Sequence, residues 1–348
     1  MVRSRTATCG LMLAILSTLS ACGSESAVPG APAPSGSDPL LDPPPAGAVQ
    51  VRAIGTTVPA GADLEWCEVA EFPGTPGEAY YVNRIDLAKS AFSHHLFVNT
   101  VAPGSEADRA ATEIGIGNRV PCVTASQSFG EGTALVAGAA KPRQTIPYPD
   151  GIAQRYIGGQ KLILDYHYFN TSTEAVNAAV AVNFHIVPES GIRKLAHGFS
   201  AMNLTIQIPP LGKAAFTAEC RFSQDLLVGG IVRHTHRWGT GYTVWSVDRA
   251  GTATELWTSD DWQEKIEKRF PEPLLFHAGE GFRYRCEFEN TEDRTLRFGT
   301  KATDEMCNLF GAWWVVNEGD AETPQECLIL SIDPDGIGRA SAGSAGPL

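Results

Sequence analysis

The residues of this chain best equipped for chemistry are its histidines. His234 and His236 flank Thr235 in the run Ile231-Val232-Arg233-His234-Thr235-His236. Alternate side chains of an extended strand share a face, so the two imidazoles project together while Thr235 turns away. Such a pair chelates a transition metal. The alternative is two core histidines, each with its own hydrogen-bond partner. His94-His95 opens the apolar stretch Leu96-Phe97-Val98, and His167 lies inside Leu162-Ile163-Leu164-Asp165-Tyr166-His167-Tyr168-Phe169. Strand neighbours face opposite ways, so His94 and His95 reach one metal only at a strand end or a bulge. With His167 they make a nitrogen-only site; otherwise His94 caps a strand and His167 is a hydrogen-bonded core residue. A third ligand for His234 and His236 is on offer in Asp304-Glu305-Met306-Cys307-Asn308. A lone methionine is usually core filler. Two imidazoles and a thioether, however, suit copper, because soft sulfur favours the cuprous state. Zinc has little use for a thioether.

The elements that must hold these residues read as strands. Apolar segments are short, β-branched or aromatic and separated by turn residues: Tyr80-Tyr81-Val82, and residues 161–168, 178–186, 204–208, 226–232 and 242–247. That spacing predicts β-sandwiches rather than βαβ units. Helical patterns are confined to residues 106–113 and 260–268. A polar turn at Pro188-Glu189-Ser190-Gly191 suggests a boundary, giving an N-terminal domain over residues 51–192 and a C-terminal domain over 193–332.

The chain opens Met-Val-Arg-Ser-Arg, and the apolar run from Leu11 to Leu19 is too short to span a bilayer. It ends Leu19-Ser20-Ala21-Cys22, the pattern of a bacterial lipoprotein signal, so residues 1–22 are expected to be a signal with Cys22 lipidated. The alternative is an ordinary cleavage site with an incidental cysteine. Gly23 after Cys22 points to the outer membrane, with the lipid as the only membrane contact. Residues 23–50, rich in Pro, Ala, Gly and Ser, read as a disordered tether, and residues 333–348 as a disordered tail. The net charge of −12, with no basic run, argues against nucleic acid as a partner. Beyond Cys9 and Cys22 there remain Cys67, Cys122, Cys220, Cys286, Cys307 and Cys327. An even set in an exported chain suggests disulfides, and the absence of any CxxC pair disfavours a cysteine-ligated metal.

Taken in order, His94-His95, Asp165-Tyr166-His167-Tyr168, His234-Thr235-His236 and Asp304-Glu305-Met306-Cys307 resemble the ascorbate-dependent type II copper monooxygenases, the family of peptidylglycine alpha-hydroxylating and dopamine beta-monooxygenases. Ile208-Pro209-Pro210, residues 239–244 and Arg294-Thr295 add smaller agreements, and the intervals between ligand motifs are each roughly 70 residues. The resemblance implies two antiparallel, jelly-roll-like β-sandwiches, each with one copper, facing each other across a solvent cleft. His94, His95 and His167 match the copper that takes electrons from a reductant, ascorbate or another. His234, His236 and Met306 match the copper that meets dioxygen and hydroxylates a small-molecule substrate at an activated C–H bond. Cys286 with Cys307, and Cys220 with Cys327, match family disulfides; Cys67 with Cys122 follows by elimination.

Departures fall where the family's peptide enzymes hold a substrate carboxylate. Val232 stands at the position of their arginine and Phe310 at that of their tyrosine, leaving Asn308 as the retained substrate-binding residue. Arg233 is one place along and should face away. Asp165 replaces a glutamine. His185, His197 and His277 match no ligand position, and Trp238, Trp313 and Trp314 are expected in the core. Two rival readings are a cell-envelope copper-binding protein without catalysis and, less compatible with Met306, a zinc hydrolase.

Overall fold

The strand Lys161–Phe169 is buried almost end to end, without the alternation of a half-exposed strand. Its position explains this: it is the central strand of a sheet covered on both faces. One face, with Leu162, Leu164, Tyr166 and Tyr168, joins the core of the first sandwich. The other carries Ile163 under a helix at Glu106–Ile114, then Asp165 and His167. In this computed structural model, the residues described are 44–342, except 91, 123, 140, 263–265, 300 and 302. The signal, Cys22 and most of the tether therefore lie outside the described residues.

The protein is all-β, and its described residues build two sandwiches within one unit. In the first, the sheet ordered Arg119–Pro121, Asp63–Glu71, Lys161–Phe169, Ser93–Val101, Thr133–Ala139 packs on a sheet centred on Ala79–Lys89. In the second, Glu267–Phe276, Leu226–His234, Asn308–Val315, His197–Asn203 and Gln325–Ile329 form the sheet that carries the later motifs. It packs on a sheet of Ala253–Ser259, Gly239–Val247, Gly281–Glu289, Lys213–Arg221 and Ile337–Ser341 through Phe199, Phe222, Phe276 and Phe282. Pairing is mainly antiparallel, with parallel partners at Lys194–Leu195, Gln325–Ile329 and Ile337–Ser341. Disulfides join Cys67 to Cys122, Cys220 to Cys327 and Cys286 to Cys307.

Several expectations are corrected. The tether does not reach Gln50: the strand Ala48–Arg52 pairs with Val180–Val187, and Gln50 donates to Asn183 at 2.7 Å. Much of the presumed disordered tail is ordered, because Ile337–Ser341 adds a parallel edge strand and Arg339 pairs with Asp333 and Asp335. Small residues at a sheet edge hide such a strand from composition. The boundary also shifts, since Lys194–Leu195 pairs with Ile152–Ile157 of the first sandwich. The second helical pattern is not realised over its described part; Glu267–Phe276 is a strand.

Candidate metal centre

The Ser93–Val101 strand begins beside the first histidines, and its ladder is irregular there. His167 pairs with His95 but Tyr168 pairs with Ser93, so the register passes over His94. This bulge turns His94 to the side of His95 and His167, which regular alternation forbids. The three rings lie 5.3–5.5 Å apart between centroids. The buried Lys89 ammonium donates to the carbonyls of Ser93 and His94, pinning the strand start; burial lowers its pKa to about 7.

Carboxylates surround this trio. His167 Nε2–H donates to Asp63 Oδ1, which leaves Nδ1 as its free lone pair. Glu65 Oε1 and Asp165 Oδ1 stand 3.4 Å and 3.6 Å from His95 Nε2. Burial works against a charged His95, but Asp165 and Glu65 prevail and hold its pKa at about 9.

The second group is held differently. His234 pairs with Asn308 at the end of the Leu226–His234 and Asn308–Val315 ladder, so the segments that carry His236 and Met306 leave the sheet at the same end. Glu305 ties them together. Its buried carboxylate accepts backbone N–H bonds from His236 at 2.9 Å, Met306 at 3.0 Å and Trp238 at 3.1 Å. Burial outweighs these donors and pushes its pKa up to about 8. His236 Nδ1–H donates to the Asp304 carbonyl at 2.9 Å, fixing the tautomer so that Nε2 carries the lone pair. Asn308 Nδ2 points at Met306 Sδ, 3.4 Å away. Burial, then the neighbouring imidazoles, keeps His94 and His234 well below the ordinary 6.5, and burial takes His236 down to about 3.

The two groups are not separated by an open cleft. The His94 ring is 5.0 Å from that of His236 and 5.8 Å from that of His234, so five imidazoles form one cluster. The seam closes because backbone meets backbone beside it. A Cβ on Gly198 would stand 2.1 Å from the Leu135 carbonyl oxygen, so only glycine admits this approach. Further along, Tyr148, Ile152, Ala196 and Trp314 form an apolar cluster across the two halves.

A metal fits these residues. His94 Nε2, both nitrogens of His95, His167 Nδ1, His234 Nε2 and His236 Nε2 are buried with no hydrogen-bond partner among the described residues. Leaving such a nitrogen unsatisfied costs on the order of 1–3 kcal/mol, whereas imidazole lone pairs beside a thioether are a donor set that suits copper. Ligand nitrogens of His94, His95 and His167, and again of His94, His234 and His236, lie within 4.8 Å of one another.

Residues 194–332 match the C-terminal domain of copper type II ascorbate-dependent monooxygenases. Over that span the chain is similar to that family. The matched span contains His234, His236, Met306 and the disulfides Cys220–Cys327 and Cys286–Cys307, and it covers the second sandwich apart from the edge strand Ile337–Ser341. Among solved structures, a chain in the atomic structure of Sulfolobus turreted icosahedral virus is 6% identical with a TM-score of 0.24, the match covering 75% of this chain and 59% of that one. The major capsid protein P2 of bacteriophage PM2 is 11% identical with a TM-score of 0.28, over 79% and 100% of the two chains. Scores this low bear on neither the family match nor the chemistry.

Asp63, Glu65 and Lys89 were not legible as site residues. The alternation Asp63-x-Glu65-x-Cys67 was available as a one-face signal, but only the pairing with Lys161–Phe169 sets that face beside His167. His185 and His277 sit away from the cluster, paired with Asp86 at 2.7 Å and Asp225 at 2.8 Å. His197 pairs with Glu322 at 3.2 Å. Trp238, Trp313 and Trp314 are buried.

Proposed function

We propose that this protein is a dicopper monooxygenase that hydroxylates an activated C–H bond. One oxygen atom of dioxygen enters the C–H bond and the other leaves as water, with two protons and with two electrons from ascorbate or another external reductant. The observation that carries this reading is the buried cluster of unpartnered imidazole nitrogens beside Met306, in a chain that matches the family's C-terminal domain. His94, His95 and His167 would hold one copper; His234, His236 and Met306 would hold the other. Copper, when bound, supplies one-electron redox chemistry and reactivity toward dioxygen.

The chain's own residues do the rest. Asp63 and the Asp304 carbonyl keep protons on the outer nitrogens of His167 and His236, so the inner nitrogens stay available. Glu305 locks the backbone of His236 to that of Met306. Burial around His234 and His236 excludes water from the face where substrate would react.

The same reading has the chain exported and held at the outer membrane through a lipidated Cys22, which the three disulfides favour. A copper-binding protein without turnover is the second reading, favoured only by Val232 and Phe310 in place of a carboxylate clamp. Copper analysis of the metallated protein is expected to give two ions per chain, with oxygen consumption that depends on reductant. One ion or none would sink the proposal. Two ions with no oxygen consumption under any reductant would favour the second reading.

A further inference from the structure

A cavity of about 400 Å³ opens between the sandwiches, with His95 and His234 at one end and Trp314 among its walls. That volume lies in the range of small-molecule sites, roughly 300–1,000 Å³. We propose that it is the substrate pocket and that it takes a neutral, largely apolar ring-containing molecule rather than a carboxylate. The inference rests on the monooxygenase reading above and specifies its substrate.

Strand register carries the argument. Val232 pairs with Phe310 and His234 with Asn308, so one face of the sheet presents a strip from the candidate metal ligand to the cavity wall. Further along, Gly230 pairs with Ala312, and their small size leaves room. A bulge at Gly229 sets the parity that keeps this face toward the first sandwich, and Trp314 lies over that glycine, where a Cβ would meet its ring at 2.5 Å. Phe97 faces Phe310 from the other side, with centroids 5.9 Å apart.

The two clamp positions are thus apolar. Val232 and Phe310 both line the cavity, and neither offers a donor to a carboxylate. Two of the lining imidazoles already face carboxylates, His95 those of Glu65 and Asp165 at 3.4 and 3.6 Å and His197 that of Glu322 at 3.2 Å. Asn308 is not on the wall; its side-chain amide is turned to Met306 Sδ. The lining cations are engaged elsewhere. The Arg233 guanidinium donates to Ser259 Oγ at 3.1 Å and stands over the Tyr242 ring, on the opposite face. Arg269 pairs with Glu267, which also accepts from Gln144. A carboxylate entering here would lose its water beside apolar clamp positions and would meet Glu65, Asp165 and Glu267 around the lining cations, a cost that an uncharged ring does not bear.

The test is binding, read without turnover. N-phenyl-1-naphthylamine, a neutral fluorescent probe, is bound to the full exported chain, metal-free and copper-loaded, and displaced with 2-methylnaphthalene or 2-naphthoate. The neutral competitor is expected to displace it at concentrations at least about tenfold lower. Ala312→Trp should weaken probe binding with copper content unchanged. Should that variant not fold, Val232→Arg, at a partly exposed position, should shift preference toward 2-naphthoate. Equal or stronger displacement by 2-naphthoate in the unaltered protein overturns the inference, as does undiminished binding in a folded Ala312→Trp variant. Neutral-selective binding with two coppers but no product from any neutral substrate would support the pocket and count against the monooxygenase reading. Hydroxylation of a carboxylate substrate by a protein that prefers 2-naphthoate would do the reverse.

Discussion

The two halves of the histidine cluster are built on opposite electrostatic plans. The His94, His95 and His167 side is ringed by side-chain carboxylates: Asp63, Glu65 and Asp165 all reach its imidazoles. On the His234, His236 and Met306 side, the nearest buried carboxylate, Glu305, is spent on backbone N–H groups, and a carbonyl orients His236. Nearby anions stabilise positive charge, so the first side favours a more highly charged occupant. The second is dry and thioether-bearing, which favours a less charged one. Electron uptake at one side and oxygen chemistry at the other follow from that contrast in the proposed function.

The largest expected break in this contrast comes from the thioether. Met306→Ile keeps an apolar side chain but removes the sulfur, and product formation should fall by about a hundredfold or more. Copper at the three-histidine side should survive, giving one ion per chain by mass spectrometry. Loss of both ions together would mean that the sides do not bind independently.

A smaller effect tests the backbone lock. Glu305→Ala leaves three buried N–H groups without their acceptor, costing on the order of 3 kcal/mol or more in unfolding free energy. Denaturant unfolding of the metal-free variant reads this directly. Glu305→Gln, which keeps an oxygen acceptor, should lose less; equal losses would show that the hydrogen bonds are not what stabilises the segment.

The gentlest test is pH. In metal-free protein, His94, His234 and His236 are held below 6.5, so the stability of their neutral forms is present above that pH and lost as pH falls beneath it. His95 and Glu305 are held up, at about 9 and about 8, so their contributions are lost as pH rises toward those values. Thermal unfolding of metal-free protein should therefore peak near pH 6.5. Replacing His95 with Gln should flatten the alkaline limb and leave the acid limb in place. A Tm that climbs steadily from pH 6.5 to 9 would contradict the carboxylate-rich description of the first side.

Much of the fold was legible because it rests on local pattern. Short β-branched segments marked the central strands Lys161–Phe169 and Leu226–His234, and the short, charged helical pattern over residues 106–113 marked the helix Glu106–Ile114. The edge strands Ala48–Arg52 and Ile337–Ser341 were not legible, since small and polar residues become strands there only through a neighbour's free edge. The six candidate ligands were readable as residue types, and as a set through the resemblance. Asp63, Glu65 and Glu305 were not, because an acidic residue has no meaning for a site until the pairing of distant strands decides what it faces.

The sequence by itself determined which candidate donors exist: imidazoles on strand faces and the Met306 thioether beside Cys307. Residue identity and alternation along one strand carry no more than that. The grouping of these donors into two ligand sets, and Val232 and Phe310 as the positions of a carboxylate clamp, came from the family resemblance. Only the tertiary structure decided that the five imidazoles converge across the seam, and that Val232 lies directly opposite Phe310 on the wall of an apolar cavity. Both depend on register between strands roughly 70 or more residues apart in the chain, and a one-residue slip would send every such side chain to the other face.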